Sequence, residues 1–216
     1  MKVGKLIFSL IATLLIICAG GLPASTGVIN FDNLTAPAYF SAVTPGTGLG
    51  PVLVYPDVTF NYGVVLNDSG YDYLATTPPN LYATTDFHPL AIGVAGEYVT
   101  GEITALFNQP VNNVSLDIIN GYGAATFTVY AYSGAFVGDL GNVAIALAGY
   151  GSAGDVETVS LPFSGIESFL VVSTQTAGYK DFAIDTVNYS IVPLPPAVLL
   201  LSSGLMGLVG WRRFRK

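Results

Sequence analysis

Between residues 25 and 192 the sequence alternates and breaks at intervals that only short β-strands satisfy. The clearest stretch is 125–132, where Phe127, Val129 and Ala131 alternate with Thr126, Thr128, Tyr130 and Tyr132. A period of two places the apolar side chains on one face of a strand and the polar ones on the other. In 114–118 the apolar Val114, Leu116 and Ile118 alternate with Ser115 and Asp117. Further runs rich in Val, Ile, Thr, Tyr and Phe predict strands at 27–34, 52–60, 63–66, 102–107, 142–148, 156–161, 168–173 and 182–192. Breakers separate them: Asn108-Gln109-Pro110, residues 120–123, Ser133-Gly134, residues 149–155, 162–165 and 176–178. About ten strands at this spacing, with no 3.6-residue periodicity to supply crossover helices, predict an all-β fold. The expected architecture is an antiparallel β-sandwich, with a jelly roll as first choice because its first and last strands pair. Residues 35–51 and 67–95 carry six prolines and read as long loops, where sandwiches place binding.

The charges are segregated. Of seven basic residues, Lys2 and Lys5 lie near the start and Arg212, Arg213, Arg215 and Lys216 at the end. Only Lys180 lies between, against 14 acidic residues from Asp32 to Asp185, so the middle segment carries a formal charge of −13. Such a surface repels nucleic acid and other polyanions.

Both flanks read as targeting segments. Lys2 and Lys5 precede the apolar run 6–18, and small residues follow in 19–24. This is the order of a signal peptide, with cleavage after Ala24 or, alternatively, within 19–21. Cys18 is the only cysteine; Ile17 before it does not suit lipidation. The exported domain, 25–191, therefore has no disulfide, thiol nucleophile or thiolate ligand. At the other end Val192, Pro193, Leu194, Pro195 and Pro196 form a stiff segment that carries no strand onward. An uncharged run from Ala197 to Trp211 follows, then Arg212, Arg213, Phe214, Arg215 and Lys216. As a helix this run spans roughly 22 Å at 1.5 Å per residue, short against a hydrocarbon core of about 30 Å. Trp211 suits an interfacial anchor, and the basic end a cytoplasmic stop-transfer signal.

Residues 192–197, the Ser202-Ser203-Gly204-Leu205 segment and the basic end resemble the PEP-CTERM sorting signals of bacteria, in their VPLPA-CTERM variant. Leu194 stands where the commonest form has Glu, and Pro196 where the variant usually has Ala. The resemblance implies an exosortase as partner, a transient stay in the inner membrane of a Gram-negative bacterium, and delivery to the surface or extracellular matrix. It also implies association with exopolysaccharide and biofilm. The alternative for these residues is a plain single-pass anchor.

Chemistry is sparsely signalled. His88, near Asp86, is the only histidine, and no Gly-x-Ser-x-Gly elbow accompanies it. Residues 149–154 match G-x-G-x-x-G, but the alternating stretch after them predicts a strand where a dinucleotide site needs a helix. Among 14 acidic residues no pair is singled out for glycoside hydrolysis. Asp32 closes the first expected strand, and Asp181 and Asp185 flank the last; together they are candidate ligands for a structural calcium. All 13 tyrosines lie in the exported domain, with Tyr71 near Tyr73 and Tyr130 near Tyr132. Tyrosine offers a ring face and a hydroxyl to a sugar. The expected function is a non-enzymatic surface or matrix protein, structural or adhesive. The alternative is a carbohydrate-binding module with a structural calcium, its partner an extracellular polysaccharide.

Overall fold

The computed structural model describes residues 25–36, 52–68, 75–84, 102–121, 123–174 and 182–192. Residues Thr26–Ile191 form one compact unit. Among the described residues eleven strands follow in order: β1 (Thr26–Ile29), β2 (Val52–Val54), β3 (Val58–Asn61), β4 (Val64–Asn67), β5 (Asn80–Ala83) and β6 (Glu102–Asn120). Then come β7 (Ala125–Tyr132), β8 (Asp139–Leu147), β9 (Val156–Ser160), β10 (Ile166–Ser173) and β11 (Phe182–Ile191). Every pairing is antiparallel. No helix long and apolar enough to cross a membrane occurs among the described residues.

The ladder divides at β6. Its first part, 102–107, pairs with β3 on one side and β10 on the other, and β10 continues to β7 and β8. Its last part, 115–120, pairs with β9 and β11. β11 then meets β1 along Val187–Ser190 and β5 along Ala183–Ile184. The inner faces of both halves enter one hydrophobic cluster: Ile103, Ala105, Phe127, Val129, Phe169 and Val171 from the first, Leu116, Ile118, Phe182, Ile184 and Val187 from the second. Rings of the two halves touch. Phe127 and Phe182 lie 5.3 Å apart edge to face, Phe107 and Tyr189 5.2 Å, and Phe60 and Tyr82 5.5 Å. Two antiparallel sheets packed face to face make a β-sandwich, and its first and last strands pair, as expected. The β7 alternation is observed as read, with Phe127, Val129 and Ala131 fully buried.

Four expectations are corrected. The run 52–60 is a hairpin, because Tyr55 N–H donates to the Val58 carbonyl at 2.9 Å and folds β2 back on β3. Residues 80–83, read as loop, are the buried strand β5 between β4 and β11. The first strand ends at Ile29, because Phe31 turns the chain with φ +60° and its carbonyl accepts the Leu34 N–H. Asn108-Gln109-Pro110 does not interrupt the chain; 102–120 is one strand. There the strand leaves one sheet for the other. Asn108 bonds outward to the Asp57 and Pro56 carbonyls, and Asn113 takes φ +53°. A proline lacking a donor is tolerated at such a bend.

β1 is held by a close approach. Gly27 pairs with Tyr189, whose ring occupies the space a Cβ at Gly27 would need. The phenol donates to Asp57 Oδ2 at 3.1 Å and is pushed up to about 12, by burial first and then by the Asp57 charge.

The fully buried Phe127 and Phe182 rings join the two sheets. Phe127→Ala is expected to lower the unfolding free energy by about 3–5 kcal/mol. Urea titration of the full chain checks this, and a loss below about 1 kcal/mol contradicts it.

Candidate functional site

Alternation fixes where the carboxylates of the second sheet point. Leu116 and Ile118 enter the core, so Asp117 between them faces outward. On the neighbouring strand Asp185 is its direct cross-strand partner. Thr158 of β9 is the partner of Asp117 on the other side. The row Thr158–Asp117–Asp185 would face water, but the turn Thr76–Asn80 covers it. Asp185 is completely buried and Asp117 is 8% exposed.

Two like charges directly opposite repel. None of the described residues is a Lys, Arg or His, so the described partners of this pair are all neutral donors. Asp185 Oδ2 accepts the Thr77 N–H at 2.8 Å, and Oδ1 accepts the Thr186 N–H at 2.7 Å. The Thr77 hydroxyl lies 3.0 Å from Oδ2. The Thr158 hydroxyl donates to Asp117 Oδ1 at 2.5 Å. The Thr76 hydroxyl lies between the pair, 2.6 Å from Asp117 Oδ2 and 3.0 Å from Asp185 Oδ2. It has one hydrogen to give. It donates to one carboxylate at a time, and together with the Thr77 N–H and hydroxyl it ties the turn to the pair. Thr186 sits in a β-bulge with φ +46°, a conformation costly for a β-branched residue.

Asp32 holds the far end of the same turn. Its Oδ1 accepts the Asn80 N–H at 3.0 Å and its Oδ2 the Asn30 side-chain amide at 2.7 Å. The Asn80 amide donates to the Phe31 and Leu34 carbonyls. Of the three expected calcium ligands, Asp32 and Asp185 thus sit at opposite ends of one turn, and Asp181 lies outside the described residues. N–H groups point at both carboxylates, a donor set that does not fit a cage of six or more oxygens. Among the described residues no three His, Cys, Asp or Glu gather as metal ligands.

Of the sorting motif only Val192 is described, half-buried beyond the last strand. Pro193, Leu194, Pro195, Pro196, Ala197, Trp211, Arg212, Arg213, Arg215 and Lys216 lie outside the described residues, as do the signal segment, Asp86, His88, Lys180, Tyr71 and Tyr73. Residues 149–154 form the glycine-rich turn between β8 and β9, with Gly151 and Gly154 at positive φ and a strand following. Sequence reasoning did not pick Asp117, Thr76, Thr77 or Thr158. The signal for Asp117 was an acid in the middle of a clean alternation.

No protein-family model matches the chain, and no curated protein matches it. Among solved structures it is similar to a DUF4465 family protein from Bacteroides caccae, with 16% identity, 78% of this chain and 100% of that chain covered, and a TM-score of 0.46. It is also similar to the K1 cleaved adhesin domain of Lys-gingipain from Porphyromonas gingivalis, at 16% identity, 81% and 95% coverage and TM-score 0.37. The K3 domain of the same protein gives 14%, 78% and 92%, and 0.29.

Burial raises the Asp185 carboxyl above the ordinary carboxylate value, while the bonds from Thr77, Thr186 and Thr76 pull it down. The folded chain therefore holds a proton on Asp185 more tightly than the unfolded one. The associated stability is complete below about pH 3.9 and is lost as pH rises through the elevated folded value. Asp185→Asn should remove this dependence. Relative to the parent, the variant should gain stability as pH rises above about 4, read from urea midpoints. A parent–variant difference that stays flat with pH contradicts the raised Asp185 carboxyl.

Proposed function

We propose that the chain is an exported, non-enzymatic surface or extracellular-matrix protein, structural or adhesive, sorted through its C-terminal segment by an exosortase. The single observation that carries this reading is the C-terminal order of prolyl motif, short uncharged run and basic cluster. It resembles the VPLPA-CTERM form of the PEP-CTERM signals, and the signal-like segment at residues 1–24 complements it. The domain's own character is compatible. A sandwich whose first and last strands pair, as in a jelly roll, bears a formal charge of −13, which suits solubility outside the cell. The carboxylate pair most able to do acid–base chemistry is instead engaged by Thr76, Thr77 and Thr158. The last strand ends at Ile191, two residues before Pro193. An unprocessed chain would hold the sandwich near the membrane surface, which favours a temporary tether over a permanent anchor.

Replacing Pro193 and Pro195 by alanine is expected to leave the protein in the inner membrane of its producing cell, seen by membrane fractionation and immunoblotting. Normal release of the variant contradicts sorting through this motif, and so does unchanged release from cells lacking an exosortase.

A further inference from the structure

The connection between β7 and β8 is built more tightly than a surface hairpin needs. The Ser133 N–H and hydroxyl both donate to the Gly138 carbonyl, at 2.9 and 3.0 Å. Ser168 of β10 pins the tip a second time. This completely buried hydroxyl accepts the Phe136 N–H at 3.0 Å and donates to the Gly134 carbonyl at 2.6 Å. Between these ties Phe136 is held at φ +58°, a region that bulky residues avoid. The side chain so constrained is not used to fill the core: Phe136 is 39% exposed and Val137 66%. The Phe136 ring stands edge to face against Tyr132 at 6.1 Å.

The outer face of β7 continues the surface. Tyr132 pairs across the ladder with Asp139, and Tyr130 with Asn142. Next along the strand Thr128 pairs with Ala144. Asp139, Asn142 and Ala144 are exposed, and β8 ends the sheet's main strand order. Each tyrosine therefore has a residue bearing a carboxylate or an amide as its cross-strand neighbour. Burial raises the Tyr132 phenol, with Asp139 and Tyr130 adding to the effect, so these groups interact.

We propose that Phe136, Tyr132 and Tyr130, with Asp139 and Asn142, form a binding site for a neutral polysaccharide. A sugar ring has a C–H face that lies on an aromatic ring and a rim of hydroxyls that bond to carboxylate and amide groups, and this surface offers both in adjacent columns. The formal charge of −13 disfavours an anionic polymer. Asp139 Oδ1 accepts the Gly141 N–H at 2.8 Å; a purely aliphatic partner would desolvate its other oxygen and the Asn142 amide without offering bonds in return. The site deepens the adhesive reading above and rests on it.

The test is affinity electrophoresis of the full chain in a zwitterionic detergent without sugar headgroups. Gels contain dextran, galactomannan, mixed-linkage β-glucan or the producing cell's own neutral exopolysaccharide, with polygalacturonate as the anionic control. At least one neutral polymer should retard the chain. Tyr132→Ala and Phe136→Gly should each weaken that retardation about tenfold. Glycine adopts φ +58° freely, so Phe136→Gly should keep the parent's thermal midpoint or raise it, which separates lost binding from lost folding. The proposal is overturned if no neutral polymer retards the chain, if both variants bind like the parent, or if polygalacturonate retards it equally. It is also overturned if the native chain is a dimer that Phe136→Gly dissociates, because a second copy then occupies the face. Failure of binding in a chain released normally from its cell removes this site alone. Binding retained in a chain released normally without an exosortase removes the sorting reading alone.

Discussion

The structure depends on one strand serving two sheets. β6 has 19 residues, about 60 Å of extended chain at roughly 3.3 Å per residue, longer than a single sheet of a sandwich accommodates. It therefore bends midway, and its partners change at the bend. Before it the neighbours are β3 and β10; after it they are β9 and β11. The groups that lose ladder partners there find others. Asn108 donates to Asp57 and Pro56, and Asn112 Oδ1 accepts the Gly165 N–H at 2.8 Å. The ladder steps on both sides of the corner, in β10 between Ile166 and Ser168, opposite residues 106–111, and in β11 between Asp185 and Ser190, opposite residues 112–117. Pro110 and Asn113 are the sequence's contribution to the corner, one removing a donor and the other adopting a left-handed backbone.

That corner also decides what the outer surface of the second sheet carries. Beyond the bend the core-facing positions are Leu116 and Ile118, which leaves Asp117 outside and opposite Asp185. A bare carboxylate pair on a sheet face would keep its water. Here the turn Thr76–Asn80 replaces the water with N–H and O–H donors and fastens itself in doing so. Asp185 grips the start of that turn and Asp32 its end. Long-range order thus comes from acids that are paired with no described cation. Such an arrangement is stable only when nearly every lone pair is bonded.

The alternation was legible wherever one face of a strand meets the core and the other meets water, as in β7. It failed where both faces are covered. All four residues of β5 are buried, because Asn80 and Tyr82 are enclosed as fully as Leu81 and Ala83; no polar–apolar period survives to mark a strand. The breaker rule failed at Pro110 for the opposite reason, since a strand changing sheets can spare a donor. Asp185 was singled out from its place near the chain's last strand. Its true setting depends on Asp117, 68 residues earlier, and on Thr76, which sequence spacing does not bring together. The glycine-rich 149–154 turn was readable because the alternation following it excluded a helix.

Among the described residues five non-glycines have left-handed backbones: Phe31, Tyr62, Asn113, Phe136 and Thr186. Each costs about 1–3 kcal/mol unless its surroundings compensate. Phe31 is compensated by burial, its ring stacked on Tyr82 at 5.5 Å and edge-on to Phe60 at 5.4 Å. Asn113 is suited to the conformation and lies at the bend of β6. Tyr62 leads into Gly63, whose lack of a Cβ admits the Tyr82 ring and whose N–H donates to the Tyr82 hydroxyl. Thr186 donates its N–H to Asp185 and carries the bulge that sets the carboxylate pair. Phe136 donates its N–H to the buried Ser168 hydroxyl, while its side chain stays more than a third exposed and, among the described residues, its ring meets one other ring. The same serine hydroxyl donates to the Gly134 carbonyl at 2.6 Å, so both sides of the tip are tied to β10. These bonds fix the backbone and leave the ring outside the core, the geometry that the proposed polysaccharide site uses.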